Sequence, residues 1–303
     1  MKYILHLSYS SSTSQTEISE ERFEELSQAK RLLVEMLEVE QKYDLLLRNH
    51  IRFEKVLYES AMHSMFCMER DWSDFMEYSQ AANLELMNLL SMCLTYVDHV
   101  PQHLKRATPE GESLKEKFKT KTSKVYDDNL AYRVLSKLRN HAQHFGQPVN
   151  SYTVNARWHD DRESSFRAAI PFLTVDELAK NPKFSKKLLK ELRALGQQID
   201  LRELVRQNMS GFGVLHKWVR QTTKEMATEA RQLIENTIDD YLKEHGEKGP
   251  AMLLTKLDAE GNKVEEHQLF KDIGKRYEYL KAKNKTLINV EKHYVTNALE
   301  PKR

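Results

Sequence analysis

The chain has 303 residues, 30% of them charged, and a formal net charge of +2, so an ordinary core under a charged surface is expected and nucleic-acid binding through whole-molecule charge is excluded. Only 9 glycines and 7 prolines are present, which favours long helices over many short strands.

Residues 2–9 alternate in polarity and predict a strand, and 10–17 read as a polar connector. Ser19, followed by Glu20 and Glu21, predicts a helix start, because a serine caps free N–H groups and early acids suit the helix dipole. Apolar residues then recur at helical spacing from Phe23 through Leu33, Tyr43 and Leu57. No glycine or proline interrupts them, so one long helix or two joined end to end are both open. Asp71-Trp72-Ser73-Asp74 predicts a break and a new cap. A second helix follows from Phe75, with Leu86, Leu90 and Val97 on its stripe, and Pro101 ends it. Residues 101–124, with Pro109 and Gly111, read as a connector carrying a cationic strip of Lys117, Lys119, Lys121 and Lys124.

Asp127 and Asp128 are placed as caps of a third helix, striped by Leu130, Val134, Leu138 and Ala142. Gly146 and Pro148 stop it. Runs at 151–158 and 166–173, around a polar tip at 160–164, predict a hairpin. Thr174 opens a second helical region of three segments out to His245, with joints at Asn181-Pro182 and Gln198-Ile199-Asp200. Gly246, Gly249 and Pro250 form a boundary, followed by a second hairpin at 252–269 and a basic helix at 272–284. The expected fold class is therefore mainly α (α-rich α+β), a helical bundle with appended β-hairpins. It divides into a bundle over 1–150, a hairpin and packing helices over 151–246, and a small hairpin-plus-helix unit over 247–303.

Cys67 and Cys93 lie in apolar helical surroundings and read as core thiols of a reducing compartment. Trp72, Trp158 and Trp218, and methionines such as Met62, Met65 and Met68, read as packing residues. The N-terminus lacks a signal pattern and no window approaches the length of a membrane span, so a cytoplasmic protein without membrane contact is expected.

No clustered metal ligands, P-loop, dinucleotide fingerprint or nucleophile elbow appears, so neither a metal nor a cofactor is expected. The glycine pair in Ser210-Gly211-Phe212-Gly213 reads as a helix break. One stretch concentrates chemistry: Leu138-Arg139-Asn140-His141-Ala142-Gln143-His144-Phe145-Gly146-Gln147-Pro148-Val149. Asn140 and His144 are four apart and share a helix face, with Arg139 one step round. An imidazole titrates near neutrality and moves protons, and a guanidinium grips phosphate through parallel hydrogen bonds. Together these groups suit RNA cleavage without a metal.

Arg139-Asn140-His141-Ala142-Gln143-His144 resembles the Arg-polar-x3-His motif of the HEPN superfamily. The resemblance implies an all-helical bundle and a metal-independent endoribonuclease of toxin–antitoxin or antiphage systems, or a degenerate relative that only binds. It implies Arg139 as the phosphate-stabilising residue, Asn140 as the supporting polar residue and His144 as acid or base. His141, which has no fixed family role, and the lysine strip are candidate RNA contacts. The implied partners are RNA, a second copy of the chain sharing one cleft, and an antitoxin or regulatory protein. The alternative is a non-enzymatic helical scaffold that binds protein or RNA through the same face.

Overall fold

In a computed structural model the chain is described over residues 1–7, 14–67, 72–158, 165–246 and 251–295. Asp71 of the expected break, Met68, the hairpin tip at 160–164, the Gly249-Pro250 boundary and residues 10–13 of the 10–17 connector lie outside the described residues. The fold is mainly α, with small antiparallel sheets built from hairpins. Among the described residues no helix is long and apolar enough to cross a membrane.

The long elements are α1 (Glu20–Phe66), α2 (Trp72–Ala107), α3 (Gly111–Asp128) and α7 (Leu201–His245). Each gives one stretch to either of two compact units. Met1–Asp44, Asp98–Lys119 and Trp218–Lys285 form the first unit. Leu45–Val97, Thr120–Lys217 and the described residues from Thr286 onward form the second. The sequence reading expects consecutive regions with edges at 150 and 246, whereas these units interleave along the chain.

In the first unit, β1 (Lys2–Leu7), β2 (Gln15–Ile18), β6 (Met252–Leu257) and β7 (Lys263–Leu269) form an antiparallel sheet in the order β2-β1-β6-β7. Ile4 faces Thr255 across the β1–β6 ladder and Leu254 faces His267 across β6–β7. Ile4, Leu5, Met252 and Leu254 are buried together with Phe23, Leu26 and Leu33 of α1. The edge strand β2 replaces part of the expected connector. Three of its four residues, Gln15, Thr16 and Glu17, are polar and its pairing with β1 runs through the main chain, so no apolar alternation announces it. Ser19 caps α1 as expected, its Oγ accepting from the Arg22 amide at 3.1 Å. Arg220 clamps the buried carboxylate of Glu40 through two hydrogen bonds, at 2.8 and 2.6 Å. The helix α8 (Lys271–Lys283) completes the unit.

The expected connector at 101–124 is helix. Pro101 lies inside α2, and α3 begins at Gly111. A proline costs a helix interior ~3 kcal/mol. Val100 just before it and Leu104 and Ala107 beyond it are buried, and that packing holds the helix together. The lysine-rich α3 buries only a thin stripe, Leu114, Phe118 and Val125, which hid its periodicity. Gly111 is required where α3 meets the end of α2: a Cβ there would stand 2.1 Å from the Lys105 carbonyl oxygen.

The second unit contains α4 (Leu130–His144), the sheet β3 (Ser151–Trp158), β4 (Ser165–Thr174) and β5 (Gln198–Asp200), and helices α5 (Val175–Ala179) and α6 (Lys186–Leu195). Asp127 and Asp128 end α3, and the cap of α4 is Asn129, whose side chain accepts from the Tyr132 amide at 3.0 Å. The Gln198-Ile199-Asp200 joint is a short strand, with Ile199 opposite Leu173.

Helix α7 does not break at Ser210-Gly211-Phe212-Gly213. The glycine makes room for the chain itself, because a Cβ on Gly213 would lie 1.8 Å from the Leu287 carbonyl oxygen. Ser210 Oγ donates to Glu291 at 2.6 Å and accepts from the Val290 amide at 2.7 Å, pinning this segment to α7. Trp72 and Trp158 are 75% and 67% exposed, and Met62, Met65 and Cys67 are exposed as well, which corrects their reading as core. All five lie at helix or strand ends, where little of the fold covers them.

Candidate functional site

The amphipathic helix α4 carries the site. Its inner face buries Tyr132, Val134, Leu135, Leu138 and His141. The helix closes as the amides of Phe145 and Gly146 both donate to the His141 carbonyl, at 2.9 and 3.1 Å. The closing turn exposes Asn140, Gln143 and His144.

Two cavities flank this helix end within the second unit. A small one of about 110 Å³ is lined by Leu90, Cys93, Leu135, Phe212, Arg139 and Asn140, among others. A larger cleft of about 450 Å³ is lined by Lys137, Asn140, His141, His144 and Phe145 of the α4 end. Asn181, Pro182, Lys183 and Phe184 form its opposite wall. Among the described residues only Asn140 lines both. Successive helix residues turn by about 100°, so Arg139 and His144 stand about 140° apart around the axis, and that angle separates them.

Arg139 is half-buried and its Nη1 donates to Asn140 Oδ1 at 3.2 Å. Its Nε is buried and has no partner among the described residues. The guanidinium head is thereby turned toward Asn140, which shares a helix face with His144. His144 itself is exposed at the cleft rim. Beside Arg139, burial pushes the Cys93 thiol up to about 12, outweighing a 3.5 Å hydrogen bond from Asn208.

His141 differs from His144. It is 3% exposed, and its ring packs on Phe145 and edge-on to Phe184, with centroids 5.2 and 6.2 Å away. Its Nδ1 lies 3.1 Å from Asn181 Nδ2. Burial lowers its pKa below the ordinary imidazole value, so the ring is held neutral.

The lysine strip is divided. Lys117 and Lys119 fall in the first unit, and Lys119 pairs with Glu116 at 2.8 Å. Lys121 and Lys124 fall in the same unit as α4, but neither lines the two cavities. The lysines that do meet the cleft are Lys137 and Lys183, which the sequence reading missed. The Asn181-Pro182 pair was read only as a joint. Lys183 just after it was the available signal. Among the described residues no group of three or more His, Cys, Asp or Glu side chains could hold a metal ion. Comparison with protein-family models, with curated proteins and with solved structures gave no match for this chain.

Proposed function

We propose that the C-terminal end of α4 is a HEPN-like RNA-cleaving site that works by transesterification, with Arg139, Asn140 and His144 in the roles their resemblance implies. In that reaction the ribose 2′-oxygen bonds to phosphorus, the bond to the 5′-oxygen breaks, and the proton of the 2′-hydroxyl ends on the leaving oxygen. His144 is the group suited to move that proton. Arg139 would steady the charge on the phosphorane, and Asn140 orients the guanidinium.

The observation that carries the reading is the state of Arg139. A half-buried arginine ordinarily finds a carboxylate, as Arg206 does in Glu54, at 2.7 and 2.6 Å. Arg139 instead has a neutral partner and keeps a buried Nε–H unmade. An unmade donor costs stability, and such costs persist where a ligand completes the bond. His144 is exposed and, among the described residues, not tied to an acid, whereas a purely structural helix end would have it buried or so tied. A second copy of the chain, sharing the cleft and supplying its own Arg139 or His144, belongs to the same proposal.

The test is RNA cleavage in EDTA by wild type, His144→Ala and Arg139→Ala. Products with 2′,3′-cyclic phosphate ends, lost in both variants, are expected. Cleavage that survives both substitutions removes this site from the reaction. A wild type that binds RNA but never cuts it leaves the non-enzymatic binder as the reading.

A further inference from the structure

The turn at 181–184 sets the chemistry of the larger cleft. The Lys183 amide donates to Asn181 Oδ1 at 3.0 Å, so the oxygen of that side chain is already committed. Its nitrogen is therefore the atom facing His141 Nδ1 at 3.1 Å. An amide nitrogen only donates, so Nδ1 must accept, and the single proton of the neutral ring sits on Nε2. No described residue accepts from Nε2. The cleft wall thus includes a residue, 3% exposed, whose ring carries a tautomer-locked donor.

The rest of the lining fits one kind of ligand. Among the described residues no carboxylate lines the cleft, while Lys137, Lys183 and His144 bring donors or positive charge to it. Phe145, 51% exposed, offers a flat apolar face at its wall. The volume of about 450 Å³ lies in the range of small-ligand sites. Donors without acids select an anion, and an aromatic wall selects a planar ring.

We infer that the cleft between the end of α4 and the 181–184 turn is a nucleotide subsite, where Lys137, Lys183 and the His141 Nε2–H hold a phosphate and Phe145 stacks the base. The inference rests on the RNA reading only for the source of that nucleotide, which is either one unit of an RNA strand or a free mononucleotide. The cleavage chemistry of Arg139 and His144 is not needed for it.

The experiment is calorimetric titration of the full chain with uridine 5′-monophosphate, uridine and a ten-unit oligouridine. Wild type is compared with Asn181→Asp and Lys183→Gln. Aspartate still accepts from the Lys183 amide, but its other oxygen accepts a hydrogen bond only from a protonated Nδ1, which moves the proton of the neutral ring off Nε2. Nitrogen NMR of the His141 ring reads that switch directly. Binding of the monophosphate, weaker binding of uridine, and about a tenfold loss in either variant are expected. Monophosphate binding as tight as that of the oligomer makes the free nucleotide the ligand, whereas binding of the oligomer alone makes it a unit of RNA. Lys183→Gln, at an exposed position, keeps the test valid if Asn181→Asp disturbs the turn. No binding by wild type, or a confirmed switch of tautomer with unchanged affinity in both variants, overturns the subsite. Loss of binding in the variants of a chain that cuts no RNA keeps the subsite and removes the cleavage reading. Cutting that depends on His144 but ignores both variants does the reverse.

Discussion

The two cavities beside the end of α4 differ in kind although one helix turn serves both. The smaller is walled by Leu90, Leu135 and Phe212 and takes in Arg139 with a donor unmade. The larger is walled by lysines, imidazoles and phenylalanines, with His141 locked in one tautomer by Asn181. The difference shows that neighbours in a motif need not share surroundings. Helical geometry sends Arg139 and His144 to opposite sides of Asn140, so each residue answers to a different set of packing partners.

The sharpest break in this comparison comes from replacing the two motif residues. His144→Ala, at an exposed position, is expected to lower cleavage by about 10²–10⁴ while leaving thermal unfolding unchanged, the scale of a lost proton-transfer group. Arg139→Met is expected to abolish cleavage yet raise stability by about 1 kcal/mol, because it removes a buried donor that has no partner. A calorimetric scan and an end-labelled RNA assay read both; a destabilised Arg139→Met would show that the guanidinium is structural.

Next in size is the cost of altering each wall. Leu135, 1% exposed in the smaller cavity, should cost about 2–5 kcal/mol as Leu135→Ala, read by urea unfolding, without changing nucleotide affinity. Phe145→Ala in the larger cleft should stay within about 0.5 kcal/mol of wild type, since the ring is half exposed, and should weaken nucleotide binding.

Acid should separate the two sides more gently. Burial holds the His141 imidazole below its ordinary value of 6.5, so the folded state resists protonation that the unfolded chain accepts. Its contribution to stability is complete above pH 6.5 and is lost as pH falls through the lowered folded value. Melting temperatures taken from pH 7 to pH 5 should therefore fall, and His141→Gln should flatten part of that fall. A slope untouched by the substitution would assign it to other groups, such as His50 and His103, whose values are also lowered chiefly by burial.

The smallest effect is a reactivity difference. With its thiol pushed up to about 12, Cys93 should resist alkylation at pH 8, while exposed Cys67 reacts. Mass spectrometry that finds Cys93 labelled in the native protein would show that the smaller cavity opens.

Much of this fold was legible in the chain. Helical spacing from Phe23 to Leu57 marked α1, Gly146 and Pro148 closed α4, and the strands of both hairpins fell where strand-like runs placed them. Local rules act within a few residues, and these elements obey them. They failed at Pro101 and at 111–124, because burial against distant segments overrode a proline and supported a helix with a thin apolar stripe. They failed again at Gly213, whose missing side chain serves Leu287, seventy-odd positions away.

The candidate site divides the same way. Residue order alone determined that Arg139, Asn140, His141 and His144 ride one helix end, since five consecutive steps of a helix advance only about 7.5 Å along its axis. Only the tertiary structure decided that His141 is buried and neutral, that Arg139 lacks an acid, and that Lys137 and Lys183 replace the expected lysine strip at the cleft. Burial, tautomer and charge are properties of what surrounds a side chain, and those surroundings come from segments such as 181–184 that the order of residues does not bring near.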